Sequence, residues 1–270
     1  MPTPSTTKSV VAPTAGRAHN LPMAGYGQFC PVARASEIFA ERWTPLILRE
    51  LLSGRHHFSE ILRGLHRISP SLLGQRLQSL ERAGVIEARP NPTGRGSVYH
   101  LTEAGGRLAE LVGALGIWGQ NYLELKPEHL DSDYLMWGLL THLRMDQLPV
   151  QRRVVRFEFR DEKKRYWLVL RRDDPDLCYS DPAFGDDLVI RSDLEATTRI
   201  YLGQLRLADA QRCGLFEIEG PRALARGVAA WFPVSGFAAH AHAVSYDRDS
   251  RSFKRIDTSA TKTPALVARN

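Results

Sequence analysis

Arg67-Ile-Ser-Pro-Ser-Leu-Leu-Gly-Gln-Arg-Leu-Gln-Ser-Leu-Glu-Arg-Ala-Gly84 decides how the first half of the chain is read. Ser69 is a good N-cap, and Pro70, which has no N–H to leave unsatisfied, suits the first helical position. Leu73, Leu77 and Leu80 recur on one face with Leu72 beside them, while Ser71, Gln75, Gln78 and Arg82 share the other. That spacing predicts an amphipathic helix with small polar residues on its outer N-terminal turns.

Working outward, three shorter helices precede it. Pro31 follows Cys30 as cap and opens a stripe of Val32, Ala35, Ile38 and Phe39. Thr44 caps a second helix with Pro45 in its first turn and Leu46, Ile47, Leu51 and Leu52 inside, stopped by Gly54. A third runs over 59–65, burying Phe58, Ile61, Leu62 and Leu65. Downstream, Val85–Arg89 and Ser97–Leu101 read as strands around the turn-rich loop Pro90-Asn-Pro-Thr-Gly-Arg-Gly96. Thr102 and Glu103 then open a long helix bearing Leu108, Leu111, Val112, Leu115, Trp118 and Tyr122, a face larger than the small core needs and therefore expected to pack on a second copy.

Two short helices, a tight turn and an amphipathic helix describe a helix-turn-helix, whose second helix enters the major groove of DNA. They equally describe a generic helical hairpin with a solvated face. The strand–loop–strand that follows favours the first reading, since it has the shape of a wing, with Arg95 at its tip placed to meet a minor groove or a phosphate. Ser69, Ser71, Gln75 and Arg76 are then the expected DNA contacts on the helix, Gln75 being able to pair with adenine, with Arg67 as a phosphate contact and Arg95 on the wing.

Cys30-Pro-Val, Arg42-Trp-Thr-Pro-Leu-Ile-Leu-Arg-Glu-Leu-Leu, Phe58-Ser-Glu-Ile, Ile68-Ser-Pro-Ser-Leu-Leu, Arg76-Leu-Gln-Ser-Leu-Glu-Arg-Ala-Gly-Val-Ile and Tyr99-His-Leu-Thr-Glu-Ala-Gly occur in this order. Together they resemble the HxlR-type winged helix-turn-helix family over about Phe29 to Tyr122. The resemblance implies a homodimeric bacterial transcription regulator on a palindrome-like operator. The family's usual Gly-Gly-Lys/Arg-Trp reads Ala40-Glu-Arg-Trp43 here, a departure expected to affect packing more than DNA contact. Some regulators similar to this one use the cysteine matching Cys30 as a redox sensor. A helix N-terminus favours negative charge and the thiolate is the reactive form of cysteine, so Cys30 is either such a sensor or a small, partly buried residue without a redox role.

From Val154 the pattern changes to strand-like alternation. Val155, Phe157 and Phe159 face inward on one strand, Asp161–Lys164 forms a hairpin turn, and Tyr166–Leu170, Leu177–Tyr179, Leu188–Ile190 and Phe216–Glu219 are further strands. Ser192-Asp-Leu-Glu195 reads as a capping box opening a helix to Gly203, and further helices span Leu207–Arg212 and Pro221–Trp231. A helical stretch between Pro127 and Pro149 precedes all of these. The expected fold class is α+β, an N-terminal winged helix-turn-helix followed by an antiparallel sheet covered on one face. Asp187–Asp193, Tyr201-Leu-Gly-Gln-Leu, Ala208-Asp-Ala, Gly214–Gly220 and Leu224 resemble the sterol carrier protein type 2-like fold. That resemblance implies an apolar tunnel for a hydrophobic small-molecule ligand, lined by Trp167, Leu170, Ile200, Tyr201, Leu205, Phe216 and Trp231 unless these are simply core.

The expected domains are a flexible tail over 1–25, the DNA-binding and dimerisation domain over 26–125, the sterol-carrier-like domain over 126–257 and a second tail over 258–270. Composition agrees with a soluble globular chain: of 270 residues 43% are hydrophobic and 24% charged, and no apolar run is long enough for membrane insertion. A cytoplasmic location is expected. Three scattered cysteines give no disulfide or zinc pattern. His56, His57, His240 and His242 read as surface histidines, and Asp173–Asp176 and Gly185–Asp187 as solvated acidic turns. No metal site, phosphate loop or nucleophile elbow is present in the sequence, so neither a cofactor nor an enzyme is expected. The net charge is +6, and it is unevenly placed. Between Gly54 and His100 seven arginines face three glutamates, whereas from Leu101 to Leu125 Arg107 faces Glu103, Glu110 and Glu124. Double-stranded DNA is the partner this distribution suits. The rival is a lipid- or hydrophobe-binding protein whose helical half mainly dimerises.

Overall fold

The computed structural model describes residues 25–92, 94–232 and 234–256. The two expected tails therefore lie outside the described residues, apart from Gly25. Helices α1 (Pro31–Phe39), α2 (Thr44–Leu52), α3 (Phe58–Leu65) and α4 (Pro70–Arg82) lead into the antiparallel pair β1 (Ile86–Pro90) and β2 (Ser97–Leu101). Ile47, Leu48 and Leu51 of α2, Ile61 and Leu65 of α3, and Leu73, Leu77 and Leu80 of α4 form one core with Val85 and Ile86. Trp43, at φ 80°, holds the left-handed turn that precedes α2, so Thr44 is the first helical residue rather than the cap.

The expected long helix after the wing is two, α5 (Glu103–Gly106) and α6 (Ala109–Tyr122). Thr102 caps the first, accepting from the Gly105 N–H at 3.1 Å and donating to the Gly84 carbonyl at 2.7 Å. A Cβ on Gly105 would lie 2.0 Å from the Val85 carbonyl oxygen, so the chain needs glycine where α5 crosses the strand. Two consecutive glycines are poor helix formers, and the helix breaks after them.

Next come α7 (Ser132–Thr141), β3 (Arg153–Phe159), β4 (Arg165–Leu170), β5 (Asp176–Cys178), β6 (Leu188–Ser192), α8 (Leu194–Tyr201), α9 (Leu207–Arg212), β7 (Phe216–Glu219) and α10 (Arg222–Trp231), and finally a hairpin of β8 (Val244–Asp247) and β9 (Ser252–Arg255). The five-stranded sheet has the order β5-β4-β3-β6-β7. It is mixed rather than antiparallel as expected, because β6 lies parallel to β3, reached by a crossover from β5. Register places Val155 opposite Leu168 and Leu188, and Phe157 opposite Tyr166 and Ile190, so the inner face is continuous across three strands. α7, α8, α9 and α10 contribute Leu135, Met136, Leu139, Leu194, Ala210, Val228 and Trp231 to this second core.

The outer face of the sheet is charged and internally paired. Glu158 takes Arg156 at 2.7 Å, Arg191 at 2.9 Å and Arg165 at 3.2 Å. Asp186 and Asp187, expected to be solvated, instead anchor strands: Asp186 pairs with Arg156 and accepts from the Trp167 indole, and Asp187 accepts from the Val154 N–H. The capping box at Ser192 does not form. Its hydroxyl is buried and accepts from Thr197 at 2.7 Å, while the Leu194 N–H finds Asp161.

Candidate nucleic-acid interface

α4 is positioned from below by its leucines and from its start by Ser69, whose hydroxyl accepts from the Leu72 N–H at 3.3 Å. This leaves Ser71, Gln75 and Gln78 exposed at i, i+4 and i+7, and their side chains make no hydrogen bond among the described residues. Arg82, at the far end, is turned back onto the Gln78 carbonyl and the Ser79 hydroxyl.

The wing hairpin is tied to the helices by the histidine pair. The Tyr99 N–H donates to the His56 carbonyl, the His56 ring bonds back to the Tyr99 carbonyl at 2.9 Å, and His56 stacks on His100. Glu60 accepts from both backbone N–H groups of His56 and His57. These two are half-buried braces, not the surface histidines the sequence suggested. Arg95 stands exposed between Gly94 and Gly96 and forms no ion pair among the described residues.

The other two arginines expected at DNA are already engaged. Arg76 is partly buried and pairs with Glu41 at 2.7 Å, and Arg67 pairs with Asp131 at 3.4 Å. The Ala40-Glu41 departure therefore reaches α4 itself, since a glycine at 41 has no carboxylate to hold Arg76. Arg55 is likewise bound to buried Glu50, and Arg63 lies over Trp137 at 5.2 Å. The local surplus of arginine is thus largely structural.

Two apolar stripes have no partner among the described residues. On α6, Leu108 and Val112 pack on the first core, and Gly116 admits Phe237, whose ring would lie 2.3 Å from an added Cβ. Gln120 donates to the Leu202 carbonyl at 2.9 Å. The third side, Leu111, Leu115, Trp118 and Tyr122, remains 45–67% exposed. On α1 no residue is buried, and Val32 is 74% exposed. Cys30 precedes this helix half-exposed, with no side-chain capping bond.

In the second domain, a cavity of about 350 Å³ is bounded by Ile200, Tyr201, Leu205 and Phe216 with Leu139, Phe157, Val228 and Phe232. Of the residues expected to line a ligand tunnel, Leu170 and Trp231 belong to the surrounding core instead. Trp167 is placed on the opposite face of the sheet, paired in register with Arg156, and faces away from the cavity. Its apolar neighbours on both sides hid which way it points. Among the described residues no cluster of three or more His, Cys, Asp or Glu is arranged to hold a metal, and no helix is long and apolar enough to cross a membrane.

A family model described as HxlR-like helix-turn-helix matches residues 38–127. The uncharacterized HTH-type transcriptional regulator YvaP of Bacillus subtilis is 34% identical over 106 residues, covering 38% of this chain and 96% of that protein. Rv3095 of Mycobacterium tuberculosis, another uncharacterized HTH-type transcriptional regulator, is 39% identical over 98 residues, and this chain spans 61% of its length. Among solved structures, the reduced form of the B. subtilis transcriptional regulator YodB matches 36% of this chain and 97% of its own at 29% identity, with a TM-score of 0.32. The chain belongs to the HxlR-like helix-turn-helix family of transcriptional regulators.

Proposed function

We propose that the protein regulates transcription as a homodimer on a palindrome-like operator, with α4 in the major groove and the wing beside it. The observation that carries this is the polar row Ser71, Gln75 and Gln78 with Arg95 of the wing, whose side chains form no hydrogen bond or ion pair among the described residues. Small side chains allow close approach to the bases, and Gln75 supplies a bidentate donor and acceptor for adenine. Arg95 neutralises a phosphate or enters a minor groove, and Ser69 stands at the helix N-terminus, where backbone N–H groups meet phosphate. Arg67 and Arg76 contact DNA after leaving Asp131 and Glu41. The exposed stripes of α1 and α6 supply an apolar surface for a second copy, which sets two α4 helices on two half-sites.

Residues 26–125 are then the reading and dimerising unit, and 126–257 a sterol-carrier-like unit. A mixed sheet with helices over one face and an apolar cavity of about 350 Å³ supports a hydrophobic ligand in the second unit. Cys30 is the second candidate control point. Its half-exposed thiol begins the helix whose apolar side joins the proposed dimer surface, so oxidation there acts on dimer geometry; Cys30→Ser that still responds to oxidant removes this role.

Selection of bound sites from a random duplex pool tests the whole reading. An enriched palindrome is expected. No enrichment, together with lipid recovered from the purified protein by mass spectrometry, favours a hydrophobe-binding protein whose helical half dimerises.

A further inference from the structure

The apolar cavity of the second domain offers an occupant no polar anchor inside. The Thr197 hydroxyl on its lining already donates to Ser192 at 2.7 Å, and Leu139, Phe157, Leu205 and Phe216 present only carbon. Arg206, at the edge, is exposed and held by Asp209 at 2.7 Å. Whatever fills this space is hydrocarbon there and must carry its polarity outside. Leu207 and Ala229 line both the cavity and an outer groove of about 650 Å³ between α9, β7 and α10, so the two spaces adjoin at these residues.

The groove supplies what the cavity lacks. Arg222, Arg226 and Gln211 line it, all three exposed, and their side chains form no ion pair or hydrogen bond among the described residues. The carboxylates of the neighbouring elements are already taken: Glu217 by Arg160 at 2.8 Å, Glu219 by Arg191, and Asp209 by Arg206 and Arg212. Among the described residues no carboxylate lines either space. α10 adds to the field, since its first turn has no acidic residue and carries Arg222, a cation where the helix dipole disfavours one. Two free guanidinium groups one helical turn apart, beside a free amide, suit a carboxylate.

We propose that cavity and groove form one site for a medium-chain fatty acid, its tail in the cavity and its carboxylate on Arg222 and Arg226. This deepens the hydrophobic-ligand reading above and rests on it. At about 350 Å³ the cavity lies near the lower end of small-molecule pockets, which suits a single chain. Its wall also touches α6. Residues 200–203 carry the wall into the Leu202 carbonyl, which accepts from Gln120 of α6 at 2.9 Å, and into Gly203, where an added Cβ would lie 2.5 Å from Ala238, the neighbour of the Phe237 that fills the notch at Gly116. A tail that binds two arrangements of this wall unequally changes how α6 is held and with it DNA affinity, a consequence that rests on the regulator reading.

Calorimetric titration of octanoate, decanoate and 1-decanol into the full chain tests the site without DNA. Affinity should rise roughly fourfold per added methylene from octanoate to decanoate, the ratio expected for burying a CH₂. Replacing both arginines, Arg222→Ala with Arg226→Ala, should weaken decanoate about tenfold, as loss of charge-assisted hydrogen bonds does, and 1-decanol far less. Ala229→Trp, which closes the passage between groove and cavity, should weaken both ligands. Decanoate binding that is untouched by the arginine pair or by Ala229→Trp overturns the proposal, and the hydrophobic-ligand reading survives if 1-decanol still binds. If neither ligand binds up to its solubility, both fall. With a palindrome selected from the random pool, decanoate should shift DNA affinity about fivefold or more. An unchanged affinity removes the effector role and leaves the site, whereas a chain that binds decanoate but selects no DNA removes the regulator reading alone.

Discussion

On the outer face of the sheet, Glu158 gathers three arginines, and Arg191 reaches on to Glu219. On the outer face of α4, the side chains of Ser71, Gln75 and Gln78 make no hydrogen bond, and Arg95 on the wing no ion pair, among the described residues. Both surfaces are polar and arginine-rich in sequence. A paired arginine gives its field to a neighbour, whereas an unengaged amide or guanidinium keeps its donors for a partner molecule. Availability of side chains, more than their count, separates a braced surface from a binding one.

The largest effect should come from breaking an engaged group. Glu50 is 2% exposed between Arg49 and Arg55, and Glu50→Ala leaves both guanidinium groups without their counter-charge. Urea unfolding should show a loss of about 3 kcal/mol; a change below about 1 kcal/mol would mean that the ion pairs are incidental to the fold. Gln75→Ala should do the reverse, leaving the urea midpoint in place and relaxing preference at one base position per half-site by roughly 1–3 kcal/mol. Equal weakening on specific and random DNA breaks that assignment.

Smaller shifts sharpen the contrast. Arg95→Ala should weaken all DNA alike and lower the slope of log affinity against log salt by about 0.9 for each phosphate no longer neutralised, and an unchanged slope removes the wing from the interface. Glu41→Ala, by freeing Arg76 from its 2.7 Å pairing, should steepen that slope by a similar amount. If the slope does not move, Arg76 is turned away from DNA by more than Glu41.

The least effect concerns acid. Burial opposes ionisation of Asp133, but hydrogen bonds from Lys164 at 2.7 Å and Tyr166 at 2.8 Å outweigh it and hold this carboxyl below the usual carboxylate range. Its contribution is present above the unfolded value of about 4 and is lost as pH falls through the lower folded value. Asp133→Asn should therefore flatten the acid limb of stability against pH, read as the urea midpoint between pH 5 and pH 2 on the scale of that linkage. An unaltered limb breaks the link between this pair and the domain.

Much of the first domain was legible because its signals are local. Ser69-Pro70 place the start of α4 and the leucine spacing its buried face, and Gly94-Arg95-Gly96 marks the turn of the wing. The sheet was legible strand by strand but not in its order, since the parallel pairing of β3 with β6 joins segments about 30 residues apart without a local turn to reveal it. Trp167 was misplaced for a related reason. Tyr166–Leu170 is apolar at every position, so period two is silent, and the register with Arg156 alone settles its side.

By itself, the sequence determined most of the elements, the helix-turn-helix with its wing and the family, because caps, turn residues and periodicity act within a few residues of one another. Only the tertiary structure decided which arginines are free. Arg67 and Arg76 meet carboxylates 64 and 35 positions away, Asp131 and Glu41. Coulomb attraction and desolvation depend on distance in space, and distance in space is fixed only when the chain has packed.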